Sequence, residues 1–155
     1  MKKCILVLAI AAAACATAAP ALAQSDTAAE IIALERKALD GWAQGNPDPL
    51  LAACDPDVTY FHVMTTRRLD GLAALKGLVE PFRGRSLYES YEMFEPKVQA
   101  AGDLAVLSYI LLQRNGSATA RWNGTQVYQK KAGQWRVIHT HWSQTSAPPG
   151  SAEAR

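Results

Sequence analysis

The chain has 155 residues, 49% of them hydrophobic and 19% charged, with a formal charge of +2. About 130 residues beyond a leader are enough for one domain with its own core. Near-neutrality with no basic cluster beyond Arg67-Arg68 and Lys130-Lys131 argues against nucleic acid as a partner.

Residues 1–23 have the three-part layout of a secretory signal peptide: Lys2-Lys3, an apolar run from Cys4 to Ala14, and Ala21-Leu22-Ala23 at the end. The apolar run is too short for a membrane span, which needs about 20 residues, so a periplasmic or secreted protein is expected. The alternative is a lipoprotein anchored at Cys15, which follows Ala12-Ala13-Ala14. Cleavage after Ala23 removes Lys2 and Lys3 and makes the mature chain formally neutral, with Cys54 as its one cysteine. That thiol, inside Leu50-Leu51-Ala52-Ala53, reads as a small buried hydrophobe.

One domain is expected over residues 25–145, with 146–155 as a flexible tail poor in apolar residues. Thr27 and Glu30 form a capping-box pattern, and Ile31, Leu34, Ala38 and Trp42 give an amphipathic helix ending near Gly45. Pro49 opens a short helix through Cys54, closed by Asp55-Pro56-Asp57. Val58 to His62 and Met64 to Leu69 read as short extended segments, and Leu72 to Phe82 as a second helix of about three turns. Four long strands then alternate with turn dipeptides at Gly102-Asp103, Asn115-Gly116 and Ala132-Gly133. The Asn-Gly pairs in Asn115-Gly-Ser117 and Asn123-Gly-Thr125 read as hairpin chemistry, although both match a glycosylation acceptor. Helices first and a meander after them predict an α+β domain, a cone-shaped curved antiparallel sheet wrapped around N-terminal helices.

In the last strand, strict alternation sets Trp135, Val137, His139 and His141 on one face and Arg136, Ile138, Thr140 and Trp142 on the other. The first face is expected to pack in the core or against a second subunit. Its two histidines lack a third ligand, so no metal and no cofactor is expected.

Cys54-Asp55-Pro56, Leu69-Asp70-Gly71 and the run Thr125 to Ser143, together with the element order, resemble the nuclear transport factor 2-like superfamily. Within it the chain is similar to SnoaL-like bacterial proteins and to the association domain of calcium/calmodulin-dependent protein kinase II. The resemblance implies a cystatin-like α+β cone, with superfamily members commonly dimerising through the sheet, so a homodimer is expected. It also implies a scaffold shared by isomerases, dehydratases and oligomerisation modules. Aligned on those motifs, cavity arginines of the kinase domains fall at Leu111, Gln126 and Trp142, which implies a neutral or aromatic small-molecule ligand.

The same alignment places His62, Tyr109, Leu111, Trp122, Gln126, Thr140 and Trp142 on the cavity wall as ligand-binding residues. His62 is the candidate for a catalytic base, with Tyr109 or Gln126 as polarising donors. No acid is read as facing the cavity; Asp57, Asp70 and Glu80 read as caps or turn residues. Asn123-Gly124 is the expected place for a β-bulge that would reverse the facing of the strand.

Overall fold

The computed structural model describes residues 18–146, with side chains from 25 onward. The first 17 residues of the expected leader and nearly all of the expected tail lie outside the described residues.

The element order is α1 (Ala18–Ala43), α2 (Asp48–Ala53), β1 (Cys54–Phe61), β2 (Leu69–Asp70), α3 (Leu72–Val79) with one 3₁₀ turn at Glu80–Phe82, β3 (Ser90–Ala101), β4 (Leu104–Asn115), β5 (Ala118–Lys131) and β6 (Gln134–Thr145). The capping box expected at Thr27 therefore sits inside a helix that is already running, and it does not start one. The far end of α1 closes as the sequence indicates. Gly45 adopts φ +70, its N–H donates to the Trp42 carbonyl, and the Asn46 N–H reaches back to Gly41 at 2.7 Å. This αL closure satisfies the last carbonyls of the helix. A side chain at Gly45 would collide with the Arg85 backbone, 2.7 Å from where its Cβ would stand.

Cys54-Asp55-Pro56 does not end α2 in a loop; it opens β1 directly. All six strands form one sheet in the order β2-β1-β6-β5-β4-β3. The meander β3 to β6 is antiparallel throughout, but β1 lies parallel to β6, so the sheet is mixed. The helices cover one face. Ile31, Leu39, Leu75 and Val79 meet Val58, Leu107, Leu111 and Val137 in the core, and each is under 5% exposed. Helix α1 is tied to the first meander strand and its approach by hydroxyls: Tyr88 donates to the Leu39 carbonyl at 2.7 Å and Tyr91 to Asp40 at 2.7 Å. Cys54 is a buried free thiol, pushed up to about 12 by burial first and then by the charges of Glu35 and Asp55.

Two strand irregularities set which side chains face inward. In β3 the register slips at Glu95-Pro96, opposite Tyr109, with Glu95 at φ +50. In β6 the partner of Val127 is His139 while that of Tyr128 is Val137, which leaves Ile138 as an extra residue. The expected bulge at Asn123-Gly124 is absent, since pairing runs through those residues without a break on both sides. The bulge at Ile138 divides the face expected to be continuous. Trp135 and Val137 turn into the core, whereas His139 and His141 point outward beside Thr59 and Phe61. On that outer face Thr59 Oγ1 and His139 Nδ1 share a hydrogen bond of 2.7 Å.

Candidate functional site

Between α1, α3 and the concave face of the sheet lies a cavity of about 280 Å³. Its wall is mostly aromatic and aliphatic, including Trp42, Tyr60, Trp122 and Trp142, and its mouth carries Val63 and Met64, each more than half exposed. Among the described residues, no lysine or arginine lines it.

Alternation along the strands brings the wall together. Leu111 and Gln113 of β4, Trp122 and Gln126 of β5 and Thr140 and Trp142 of β6 share the inward face with Tyr60 of β1. Of the residues expected on this wall, His62, Leu111, Trp122, Gln126, Thr140 and Trp142 lie on it. Tyr109 instead sits behind it, with its ring edge-on to Trp142 at 5.6 Å.

Gly124 permits that arrangement. A Cβ there would stand 3.0 Å from both Trp142 and Tyr109, so the missing side chain lets the two rings close over the strand. Trp122 and Trp142 meet edge to face at 6.5 Å, and the Trp122 indole N–H donates to Gln113 at 3.0 Å.

His62 lies just past the end of β1, stacked between Tyr60 (5.9 Å) and Trp122 (5.3 Å). Its Nδ1 accepts the Met64 backbone N–H at 3.1 Å. Burial holds the imidazole below its ordinary value, because a charged ring is poorly solvated there. The donors expected to converge with it turn elsewhere: Tyr109 and Gln126 both reach an acid on α1.

That acid, Glu35, corrects the expectation that no carboxyl faces the cavity. It is 5% exposed and lines the cavity. Tyr109 Oη donates to Glu35 Oε1 at 2.5 Å, Gln126 Nε2 donates to the same oxygen at 3.0 Å, and Tyr128 Oη donates to Oε2 at 2.8 Å. Burial raises the carboxyl above its ordinary value, against the opposing pull of the two tyrosine hydrogen bonds. Both tyrosine hydroxyls are in turn pushed well up, first by burial and then by the nearby carboxylate charge. The sequence marks its position but not its partners: Glu35 falls four residues after Ile31 and three and four before Ala38 and Leu39, inside the apolar stripe of α1. An acid on that stripe has to meet partners across the core.

The arrangement is a buried, fully donated carboxyl at the wall of an aromatic cavity. It offers a proton-holding group, a fixed amide and flat apolar surfaces, and no cation.

A sheet curved around N-terminal helices, with its cavity between the two layers, defines a nuclear transport factor 2-like α+β protein. The chain belongs to the calcium/calmodulin dependent protein kinase II association domain family, whose model matches residues 27–146. Among solved structures it is similar to a candidate ketosteroid isomerase from Parabacteroides distasonis, at 32% identity and a TM-score of 0.68 over 74% of this chain and 85% of that one. It is also similar to a nuclear transport factor 2-like protein of unknown function from Pseudomonas putida, at 25% identity and 0.70 over 77% and 87%. The hub homology domain of the same kinase from Chlamydomonas reinhardtii matches at 29% identity and 0.63 over 77% and 99%. No curated protein matches the chain at a significant level.

Proposed function

We propose that this chain binds a small, neutral, largely aromatic molecule in the cavity between its helices and sheet. The observation that carries the reading is the composition of the wall: six aromatic residues and Leu111 around Glu35, Gln126 and Thr140, with no lysine or arginine among the described residues. A cavity of about 280 Å³ is near the lower end of the ~300–1,000 Å³ common for small-molecule sites. An anionic ligand would meet the Glu35 carboxyl without a compensating cation, which is why a neutral one is favoured.

The test is native mass spectrometry of the purified protein before and after denaturation. A bound mass that is lost on denaturation supports the reading and gives the ligand's size. If a panel of neutral aromatic compounds also leaves the mass and the melting temperature unchanged, the reading fails.

A second reading, favoured by Glu35, is proton-transfer catalysis of the isomerase or dehydratase type. A buried carboxyl with a raised value is suited to holding a proton and passing it to a bound molecule. This moves the candidate base from His62 to Glu35, and the likeness to a candidate ketosteroid isomerase supports the reaction class. Turnover of a bound ligand that disappears in Glu35→Gln, with binding retained, is the expected outcome.

Self-association is proposed alongside, from the hub and association domains among the relatives and from the apolar outer face of the sheet. Phe61 is 40% exposed there, and Ile110, Leu112 and Val127 are half-buried. Light scattering coupled to size exclusion should give a multiple of the protomer mass. Export remains a proposal from Lys2-Lys3 and the apolar run, tested by N-terminal sequencing of the protein from its own host.

A further inference from the structure

We infer that the ligand enters the cavity with a hydrogen-bond donor, a phenolic or alcoholic O–H or an amide N–H, and gives it to Gln126 Oε1. The inference rests on the proposed binding function and narrows its ligand class. Gln126 is 2% exposed and lines the cavity, and its Oε1 has no hydrogen-bond partner among the described residues. Buried amide oxygens are ordinarily paired, because an unmade hydrogen bond leaves the desolvation cost uncompensated.

The orientation of that amide follows from its neighbours. Its other terminal atom lies 3.0 Å from Glu35 Oε1 and 3.5 Å from Tyr109 Oη. With Glu35 ionised and accepting from Tyr109 and Tyr128, the atom of Gln126 that faces it is the NH₂ group. The carbonyl is thereby turned away from Glu35 and held as an acceptor. Glu35 is held in turn by Tyr109 and Tyr128, so the direction of the amide is set from behind the wall.

The neighbouring wall fits the body of such a molecule. Gln126 pairs with Thr140 across the strands, both on the inward face, and Trp122 and Trp142 lie further along on the same side. A flat ring against the indoles with one donor at its buried end matches the aromatic wall and the amide together. A ligand that only accepts would leave Oε1 unpaired and would set its own oxygen against it.

The test uses three probes of one shape on the full chain: 2-naphthol, which donates, and 2-methoxynaphthalene and 2-naphthaldehyde, which only accept. Affinities are measured by titration calorimetry. The wild-type protein is expected to prefer naphthol by about ten-fold, the size of one buried hydrogen bond gained against one left unmade. In Gln126→Leu the preference is expected to fall to about one-fold while the methoxy compound still binds. The wild-type comparison stands without the variant, should Gln126→Leu fail to fold. Side-chain amide resonances of ¹⁵N-labelled protein give a second readout, with the Gln126 signals shifting with naphthol and staying put with the ether.

Equal affinity of the three probes for the wild-type protein overturns the donor assignment and leaves the cavity reading standing. So does a naphthol preference that survives Gln126→Leu. Failure of all three probes to bind at millimolar concentration overturns both, with Oε1 then satisfied by water alone.

Discussion

Tyr128→Phe removes one oxygen from the interior and nothing else. Tyr128 is 1% exposed, and its hydroxyl donates to Glu35 Oε2 at 2.8 Å. The ring, its packing and the strand are kept, so the change isolates one donor to a buried carboxyl. Hydrogen bonds to charged groups contribute about 1.5–3 kcal/mol, and the oxygen left behind lies where its desolvation is not recovered. A loss of about 2 kcal/mol is therefore expected when Glu35 is ionised. For a domain of this length that is a fall of roughly 8 °C in melting temperature.

The loss should depend on pH. Tyr128 is one of the two hydrogen bonds that hold the Glu35 value down against burial, so removing it raises that value further. Once the carboxyl is protonated the missing bond is one between neutral groups, and the cost shrinks to about 1 kcal/mol. Urea unfolding of both proteins from pH 5 to 9, with the Glu35→Gln and double variants completing a cycle, measures each part. A loss below about 0.5 kcal/mol at alkaline pH, or one that stays constant across the range, would refute the reasoning that this hydroxyl holds an ionised acid.

Glu35→Gln should itself change the pH profile. A raised carboxyl contributes stability that is fully present below its ordinary value of 4.5 and is lost as pH rises through the raised one, so the wild type should lose ground to the variant on alkalinisation. Gly124→Ala puts a methyl 3.0 Å from Trp142 and Tyr109 and should cost about 1–3 kcal/mol by overpacking, with weaker binding of naphthalene probes in the same titrations. Lys131→Met breaks the 2.8 Å pair with Asp55. Because Lys131 is 44% exposed and screened, about 1 kcal/mol is expected. That lysine is the main reason Asp55 is held below its ordinary 3.8; the stability it supplies above that value is lost as pH falls through the lowered one, so acid unfolding should begin at a higher pH in the variant.

The fold was legible because its signals are long and redundant. Four strands of 12 to 14 residues with Gly-Asp, Asn-Gly and Ala-Gly turns leave little freedom in topology. Most of the cavity wall followed from the pleat, since one correctly placed residue on an unbroken strand places its alternates. Three features were not legible for physical reasons. Glu35 sits on the apolar stripe of α1, where periodicity alone reads an acid as an interruption, and its three partners are 74 to 93 residues away. The β6 bulge falls at Ile138, a β-branched residue with no local turn chemistry. It occurs where the strand lies between antiparallel β5 and the irregular, parallel β1, a junction with no signature inside β6. Asn123-Gly124 carried the local signal but needs its glycine for the approach of two rings, so the pairing stays regular there.

The extra residue at Ile138 acts on the cavity as a frameshift acts on a message. Everything after it in β6 is read out on the opposite side from what strict alternation dictates, which is how Thr140 and Trp142 reach the interior while Trp135 and Val137 do so as well. Deleting that one residue would keep the composition of the strand almost unchanged, yet it would exchange Thr140 and Trp142 for His139 and His141 along the wall. A relative that differs here by a single insertion or deletion would present a basic, titratable wall with no substitution at any wall position. Ligand preference in such chains is then carried by strand length as much as by residue identity.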